Sequence, residues 1–416
     1  MKISSVALAL PAGGSRAQHW LAVWAVVLLA LNAAAGFRPE ILAQVDGAIT
    51  NAIAAKKTPG AVIWIEHGGQ SYQKAYGERA LKPVSEPMTV DTIFDVASLT
   101  KVVATAPAVA LLLERGQVRL EDPVQKYLPE FRGRDCEAIT VRHLLTHTSG
   151  LLVGISGGAF RDYDGAVAVA LRERPQATPG REFHYCDLNF ILLGELVRRV
   201  AKQPLNEFVA DAIYRPLGMK DTGYLPEVSR RPRLAPTQEL GSGPLRGTVH
   251  DPSARRMGGV AGHAGVFSTA ADLARFARMI LNEGELDGVR VLKPETVRLM
   301  TSVQSPKSVP ARRGLGWDID SGYSRPRGMV FPLGSFGHTG FTGATLWLDP
   351  FSKTFVILLT NRLHPGGQGN VTELYAAVGT LAARTLDDFD FKQTSGALPF
   401  RTNFIQWGAV TNYLQP

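Results

Sequence analysis

Two stretches with strand character sit at opposite ends of this chain, and a sheet that uses both has to close across most of the sequence. Ala61 to Glu66 is rich in β-formers, His67-Gly68-Gly69-Gln70 carries a turn, and Ser71 to Tyr76 returns. Far downstream, Ala344 to Leu348 and Thr354 to Thr360 read as a second pair of strands around Asp349-Pro350-Phe351-Ser352. The intervening sequence has mainly helical periodicity, clearest over Asn189 to Val200, Leu205 to Leu217 and Ala271 to Asn282. A helix over Pro39 to Ala55 precedes the first hairpin, with Ile41, Val45, Ile49 and Ala52 on one face, and another over Glu373 to Leu386 follows the second. A further helix runs from Ser98 to Arg115, with Pro107 set against its continuity. The expected fold class is therefore α/β: an antiparallel sheet built from both chain ends, flanked by helices, with a mostly helical middle region. A pocket between sheet and middle region would gather residues distant in sequence.

The 416 residues, 45% of them hydrophobic, suffice for one large domain or two intimately packed ones. The formal charge of +8 is spread along the chain without the basic and aromatic clusters of a nucleic-acid binder, so no nucleic-acid partner is expected. Lys2 and Arg16 precede an uncharged run from Trp20 to Ala35, short for a membrane span and suited to a signal-peptide core. Residues 1–36 thus read as a cleaved leader or as an uncleaved anchor, with an ordinary buried helix as the third reading. The first two place residues 37–386, the working domain, outside the cytoplasmic membrane: periplasmic, secreted or membrane-associated. Residues 387–416 form an extension with Phe400, Phe404, Trp407 and Tyr413, able to pack back or meet a partner. Cys136 and Cys186 could form one disulfide or stay as two buried thiols.

Ser98-Leu99-Thr100-Lys101 fits S-x-x-K, a pattern that supports acyl transfer, but Ser71-Tyr72-Gln73-Lys74 fits it too. Placement separates them. An offset of three sends side chains to opposite faces of a strand, where Ser71 lies, and to one side of a helix, where Ser98 lies. For Lys101 to act as a base its pKa must fall, because forming the neutral amine at pH 7 from the usual value costs roughly 4–5 kcal/mol. The tetrad alone is equally compatible with a capping serine and a surface lysine.

Several longer stretches carry a family resemblance: FDVASLTK at Phe94 to Lys101, VRHLLTHTSGL at Val141 to Leu151, YCDLNFILLG at Tyr185 to Gly194, GHAGVFSTAADLARF at Gly262 to Phe276, and GHTGFTG at Gly337 to Gly343. In order and separation they resemble the penicillin-recognising serine hydrolases, which include class C β-lactamases, D-alanyl-D-alanine peptidases and related esterases. The resemblance implies Ser98 as nucleophile, Lys101 and Tyr185 as proton-handling partners, and His338-Thr339-Gly340 as a strand-edge motif that aligns substrate. His338 would support proton transfer or meet a carboxylate. It also nominates backbone N–H groups at Ser98 and near Phe341 for the oxyanion. Asp187 stands where the family usually has Asn, and an ionised Asp can only accept hydrogen bonds. That departure argues against β-lactam and peptide substrates and leaves Asp187 to contact substrate directly or to order its neighbours. Arg362 could meet an anion near His338 or form a salt bridge. No metal or organic cofactor is required by the implied chemistry.

Other patterns are decoys or supports. Gly154-Ile155-Ser156-Gly157-Gly158 satisfies G-x-S-x-G in what reads as a loop, not the strand-to-helix turn that a nucleophile elbow requires. His143 and His147 lack the glutamate of H-E-x-x-H and read as pocket support. His250, Asp251 and His263 could ligate an ion, but they form no compact ligand pattern, and the resemblance to esterase-like relatives implies loop organisation or pocket lining instead. The expected activity is hydrolysis through an acyl-enzyme, foremost of a small-molecule carboxylic ester. D-amino-acid peptidase or β-lactamase activity on cell-wall peptides or β-lactams is the alternative, and a noncatalytic cell-wall binding protein is the contrasting class.

Overall fold

The protein is described from a computed structural model, which describes residues 36–398 apart from 153, 155–159 and 242. The apolar leader run, Ser156 and the four aromatic residues of the tail lie outside the described residues.

Helix α1 (Pro39–Ala54) opens with proline in its first turn, where the missing N–H has no intrahelical partner to lose, and buries Ile41, Val45, Ala48, Ile49 and Ala52. Strands β1 (Gly60–His67) and β2 (Gln70–Ala80) follow as an antiparallel hairpin closed at His67↔Gln70. The middle region contains α2 (Ala106–Glu114), α3 (Asp187–Ala201) and α4 (Ala270–Leu281), the last capped by Thr269, whose hydroxyl accepts from Asp272 N–H at 3.1 Å. Strands β3 (Phe336–Gly340), β4 (Ala344–Asp349) and β5 (Thr354–Thr360) then lead to α5 (Thr372–Arg384).

β1 and β5 pair from Ala61↔Thr360 to Glu66↔Phe355, joining the two chain ends at the centre of an eight-stranded antiparallel sheet. From one edge to the other its order is Arg312–Arg313, Asp318–Asp320, β3, β4, β5, β1, β2 and Glu86–Pro87. The period-two alternation divides the core. Ala61, Ile63, Ile65, Trp347, Val356 and Leu358 pack with α1 and α5, whereas Val62, Leu346, Leu348, Ile357 and Leu359 join the core of the helical middle. Each such Ile or Leu contributes about 1.5–3 kcal/mol, so a one-residue slip of β1 against β5 would be prohibitive.

The expected helix after Ser98 forms in three parts: a 3₁₀ turn at Ala97–Leu99, a π turn at Lys101–Thr105, and α2. Ala106 N–H reaches back to Lys101 C=O, an i→i−5 bond that widens the helix just before Pro107. Ala97–Glu114 is long and apolar enough to cross a membrane, yet it is largely buried inside the protein. The helix expected over Leu205 to Leu217 likewise divides into Leu205–Val209 and a π turn at Ala210–Tyr214. Cys136 and Cys186 are buried and form no disulfide, which selects the thiol reading over the bridge. Beyond α5 the described start of the extension packs back: Phe391 meets Phe331 edge-on at 5.6 Å, and Leu398 N–H donates to Leu333 C=O at 2.8 Å.

Candidate active site

The turn before α2 is fixed by a buried carboxylate. Asp95 accepts from Ala97 N–H at 2.9 Å and from His250 N–H at 2.7 Å, while its own carbonyl accepts from the Thr342 hydroxyl at 2.6 Å. Ala97 is thereby held at φ 46°, a left-handed conformation costly for a residue with a Cβ, immediately before Ser98. β3 passes so close that a Cβ on Gly340 would lie 2.4 Å from Val96 C=O, which explains why this position is glycine. Burial pushes the Asp95 carboxyl up to about 6, with the two backbone N–H bonds working the other way.

Helical geometry then sets Lys101 beneath Ser98. Lys101 is fully buried, and its Nζ donates to Ser98 Oγ at 3.0 Å and to His263 C=O at 3.0 Å while pairing with Asp187 Oδ1 at 2.8 Å. Three acceptors match the three donors of an ammonium. Burial pulls the Lys101 pKa down, as its role as a base would require, but the Asp187 carboxylate and then Tyr185 more than reverse this. The net shift is upward, so the fall in pKa that the base role requires is not met in this resting arrangement, which favours the charged form of Lys101. Asp187 is held below the ordinary carboxylate range, its burial outweighed by the Lys101 charge. It is thus a partner of Lys101, the ordering role expected of it, and it also lines the pocket.

Tyr185, just before α3, stacks on His147 at 4.5 Å and lies 5.9 Å from the His338 ring. Burial raises its pKa, while the Lys101 charge and hydrogen bonding from Lys101 and Ser98 act to lower it. His147 accepts from Cys186 N–H at 3.2 Å and so holds the start of α3, the supporting role expected of that histidine. His143 belongs to the capping box of Val141–Leu145. The glycine of GHAG answers another close approach: a Cβ at Gly262 would meet Phe190 C=O at 2.0 Å, where the loop carrying His263 crosses α3.

β3 is flanked by Asp318–Asp320 and β4, so its motif is not on the outer edge of the sheet as expected. Pairing on the outer side is nevertheless made at Asp318↔Gly337 and runs away from His338, leaving His338 to Gly340 facing the pocket. His338 Nδ1 donates to Thr339 C=O at 2.8 Å, an assignment that makes Nε2 an acceptor; Nε2 is buried and unpartnered. Burial, then the charges of Arg313 and Lys101, lower its pKa well below the ordinary value. His338 is therefore neutral and cannot hold a carboxylate as a cation.

Ser98, Tyr185, Asp187, His338, Thr339, Gly340 and Phe341 all line one cleft of about 400 Å³. His250, Asp251 and His263 line it as well. Arg362 does not. It packs on Phe341, 4.6 Å from the ring centroid, donates to Gly369 C=O and lines a neighbouring cleft with Lys57 and His364. The expected anion contact near His338 is thus corrected. The arginine actually in the wall is Arg313, fully buried, 3.1 Å from Asp318 and donating to Gly316 C=O at 3.0 Å. With Asp318 and Tyr323 it went unanticipated, because strands of two and three residues carry no readable period.

The antiparallel sheet, the helical middle and a serine–lysine–tyrosine constellation between them define a β-lactamase/transpeptidase-like protein, a class whose enzymes include esterases and peptidases. The β-lactamase family model matches residues 45–380, and the chain belongs to that family of hydrolases. A relative from Escherichia coli (strain K12), named "Putative D-alanyl-D-alanine carboxypeptidase", is 28% identical over 368 residues, covering 79% of this chain and 84% of the relative. A penicillin-binding protein homologue from Caulobacter crescentus shares the fold with a TM-score of 0.68 at 22% identity, covering 84% of this chain and 99% of the other. A family VIII carboxylesterase does so with a TM-score of 0.66 at 21% identity, covering 85% and 99%.

Proposed function

We propose that the protein is a serine hydrolase that works through an acyl-enzyme on Ser98, foremost on carboxylic esters. The observation that carries this reading is the 3.0 Å contact between Ser98 Oγ and a buried Lys101 Nζ at the floor of a cleft, beside Tyr185. Ser98 Oγ attacks the acyl carbon. Before that, Lys101 passes a proton to Asp187, a transfer favoured when substrate covers the cleft and removes water from both charges. Neutral Lys101 then takes the Ser98 proton, Tyr185 gives its proton to the departing alcohol, and Lys101 restores Tyr185. Backbone N–H groups of Ser98 and Phe341 are the proposed oxyanion donors. Asp187 has no amide N–H to offer the carbonyl of an acylamino substrate, which supports esters over β-lactams.

A second reading, D-alanyl carboxypeptidase activity, is favoured by Arg313 in the wall near His338, a group suited to a terminal carboxylate, and by the name of the Escherichia coli relative. The leader sequence supports export as a further part of the proposal. Incubation with a fluorophosphonate followed by peptide mass spectrometry tests the core of the reading: the adduct is expected on Ser98, and labelling elsewhere with normal turnover in Ser98→Ala would refute it. Short acyl esters, a chromogenic β-lactam and D-Ala-D-Ala peptides, assayed in parallel, separate the substrate classes.

A further inference from the structure

We infer that His147 is a positioning residue for Tyr185: it bonds the backbone on either side of that tyrosine and stacks its ring on the phenol, aiming it for proton transfer to the departing alcohol. The inference rests on the acyl-enzyme reading above and deepens it by naming what holds the proton donor in place.

Tyr185 lies between two backbone groups that bond to the same residue. His184 N–H donates to His147 C=O at 3.0 Å, and Cys186 N–H donates to His147 Nδ1 at 3.2 Å. The imidazole stacks on the ring between them, with centroids 4.5 Å apart and planes inclined by 28°. Tyr185 precedes the first turn of α3, so no hydrogen bond of that helix fixes it. One residue thus holds three consecutive ones, and contact at three points sets both the place and the tilt of the phenol.

His147 is itself tightly constrained. It is fully buried and held at φ 56°, a left-handed conformation costly for a residue with a Cβ. Ser149 Oγ donates to Asn189 Oδ1 at 2.6 Å, which turns the Asn189 amide nitrogen towards His147 Nδ1 at 3.2 Å. Nδ1 therefore accepts two N–H bonds, and the ring proton is assigned to Nε2, which is buried without a partner among the described residues. Burial, then the charges of Arg313 and Lys101, lower the pKa of His147 well below the ordinary value, so the ring beside the phenol is neutral. A strained backbone and an unpaired buried N–H are two costs that a residue serving only to fill space would not need to carry.

The phenol needs such restraint because its task is directional. Lys101 Nζ lies 5.0 Å from the Tyr185 ring centroid, and the hydroxyl has to reach both Lys101, which restores its proton, and the leaving oxygen, which takes it. A swing of the ring would lose one or the other. Two further rings touch Tyr185, but Tyr323 at 5.2 Å is itself 48% exposed and His338 is more distant at 5.9 Å. His147 is the nearest of the three, and it also bonds the backbone that carries the tyrosine.

Leaving-group dependence separates positioning from general support. Phenolate is a stronger base than 4-nitrophenolate and gains more from protonation, so a misplaced proton donor penalises phenyl acetate more than 4-nitrophenyl acetate. In His147→Asn the side-chain oxygen takes the place of Nδ1, and asparagine tolerates the left-handed backbone, so the substitution removes chiefly the stacked ring. The ratio of kcat/KM for phenyl acetate to that for 4-nitrophenyl acetate is expected to fall about tenfold in Tyr185→Phe and about fivefold in His147→Asn. Equal losses on both esters, or a wild-type ratio, in His147→Asn overturns the positioning role, and the acyl-enzyme reading stands if Ser98 still reacts with fluorophosphonate. A wild-type ratio in Tyr185→Phe removes the tyrosine as proton donor and this inference with it, and absence of Ser98 labelling overturns the acyl-enzyme reading as well. Should His147→Asn fail to fold, Asn189→Ala decides: it keeps the imidazole and removes one of the two bonds that orient it, the ratio is expected to fall about threefold, and a wild-type ratio overturns the proposal.

Discussion

The chain contains the same tetrad twice, and each lysine is paired with a carboxylate at nearly the same distance. Lys74 lies 2.6 Å from Asp46 and Lys101 lies 2.8 Å from Asp187. What differs is the backbone and the water. Ser71 and Lys74 sit in β2, and the Lys74 side chain is 47% exposed, its pKa raised first by the hydrogen bond to Asp46. Ser98 and Lys101 sit on a helical turn, and Lys101 is wholly buried with Ser98 Oγ as one of its partners. Spacing and an ion pair are thus insufficient; a helical turn out of water is what couples serine to lysine.

The sharpest way to break the comparison is to remove each serine. Ser98→Ala is expected to reduce ester turnover by about 10⁵-fold or more, to the assay background, and Ser71→Ala to leave kcat/KM unchanged. Equal effects in a steady-state assay would erase the distinction between the two tetrads. Removing the lysines comes next. Lys101→Met should slow acylation by about 10²–10⁴-fold, measured as the rate of fluorophosphonate labelling at neutral pH. Labelling at the wild-type rate across the pH range would remove Lys101 from proton transfer.

The buried corner also carries a cost that the exposed one does not. Asp95 keeps its proton up to pH about 6 when folded and only to about 3.8 when unfolded, so between those values the native state binds more protons and stability falls as pH rises. Asp95→Asn abolishes this dependence and leaves one of two backbone N–H groups without an acceptor. The wild type's advantage over Asp95→Asn should therefore be larger at pH 4 than at pH 7, by on the order of 3 kcal/mol, read from chemical denaturation at both pH values. A constant difference would mean that Asp95 is not perturbed.

Much of this contrast was legible beforehand, since a strand period over Ser71 to Tyr76 and a helix start at Ser98 already place the two tetrads differently. The central pairing of β1 with β5 was legible for the same reason, as both are long apolar strands. What the sequence could not show depends on approach in three dimensions. Nothing in the spacing of Lys101 and Asp187 reveals that the carboxylate overrules burial and keeps the lysine charged. Arg362 packs on Phe341 but lines a different cleft, while Arg313 reaches the pocket from a strand too short to carry a pattern.

Asp187→Asn sharpens the comparison from the carboxylate side. Without the largest influence raising it, the Lys101 pKa should drop, since burial alone lowers it. The rise of acylation rate with pH should then move to lower pH by about one unit or more, and fluorescent penicillin should label the variant roughly tenfold faster, because Asn supplies an amide donor. An unmoved profile with unchanged labelling would show that Asp187 neither holds the lysine's proton nor selects the substrate.

The smallest effect belongs to the exposed pair. Lys74→Met breaks an ion pair of nearly the same length as the one at Lys101, but both of its charges are partly solvated and Asp46 retains the hydroxyls of Tyr72 and Tyr76 as donors. The expected loss of stability is about 0–1 kcal/mol, with esterase kinetics unchanged, as measured by urea denaturation and initial rates. Should Lys74→Met instead unfold the protein or slow acylation, water would not be the variable that separates these two lysines, and the hairpin of β1 and β2 would have to be coupled to the catalytic cleft through the sheet itself.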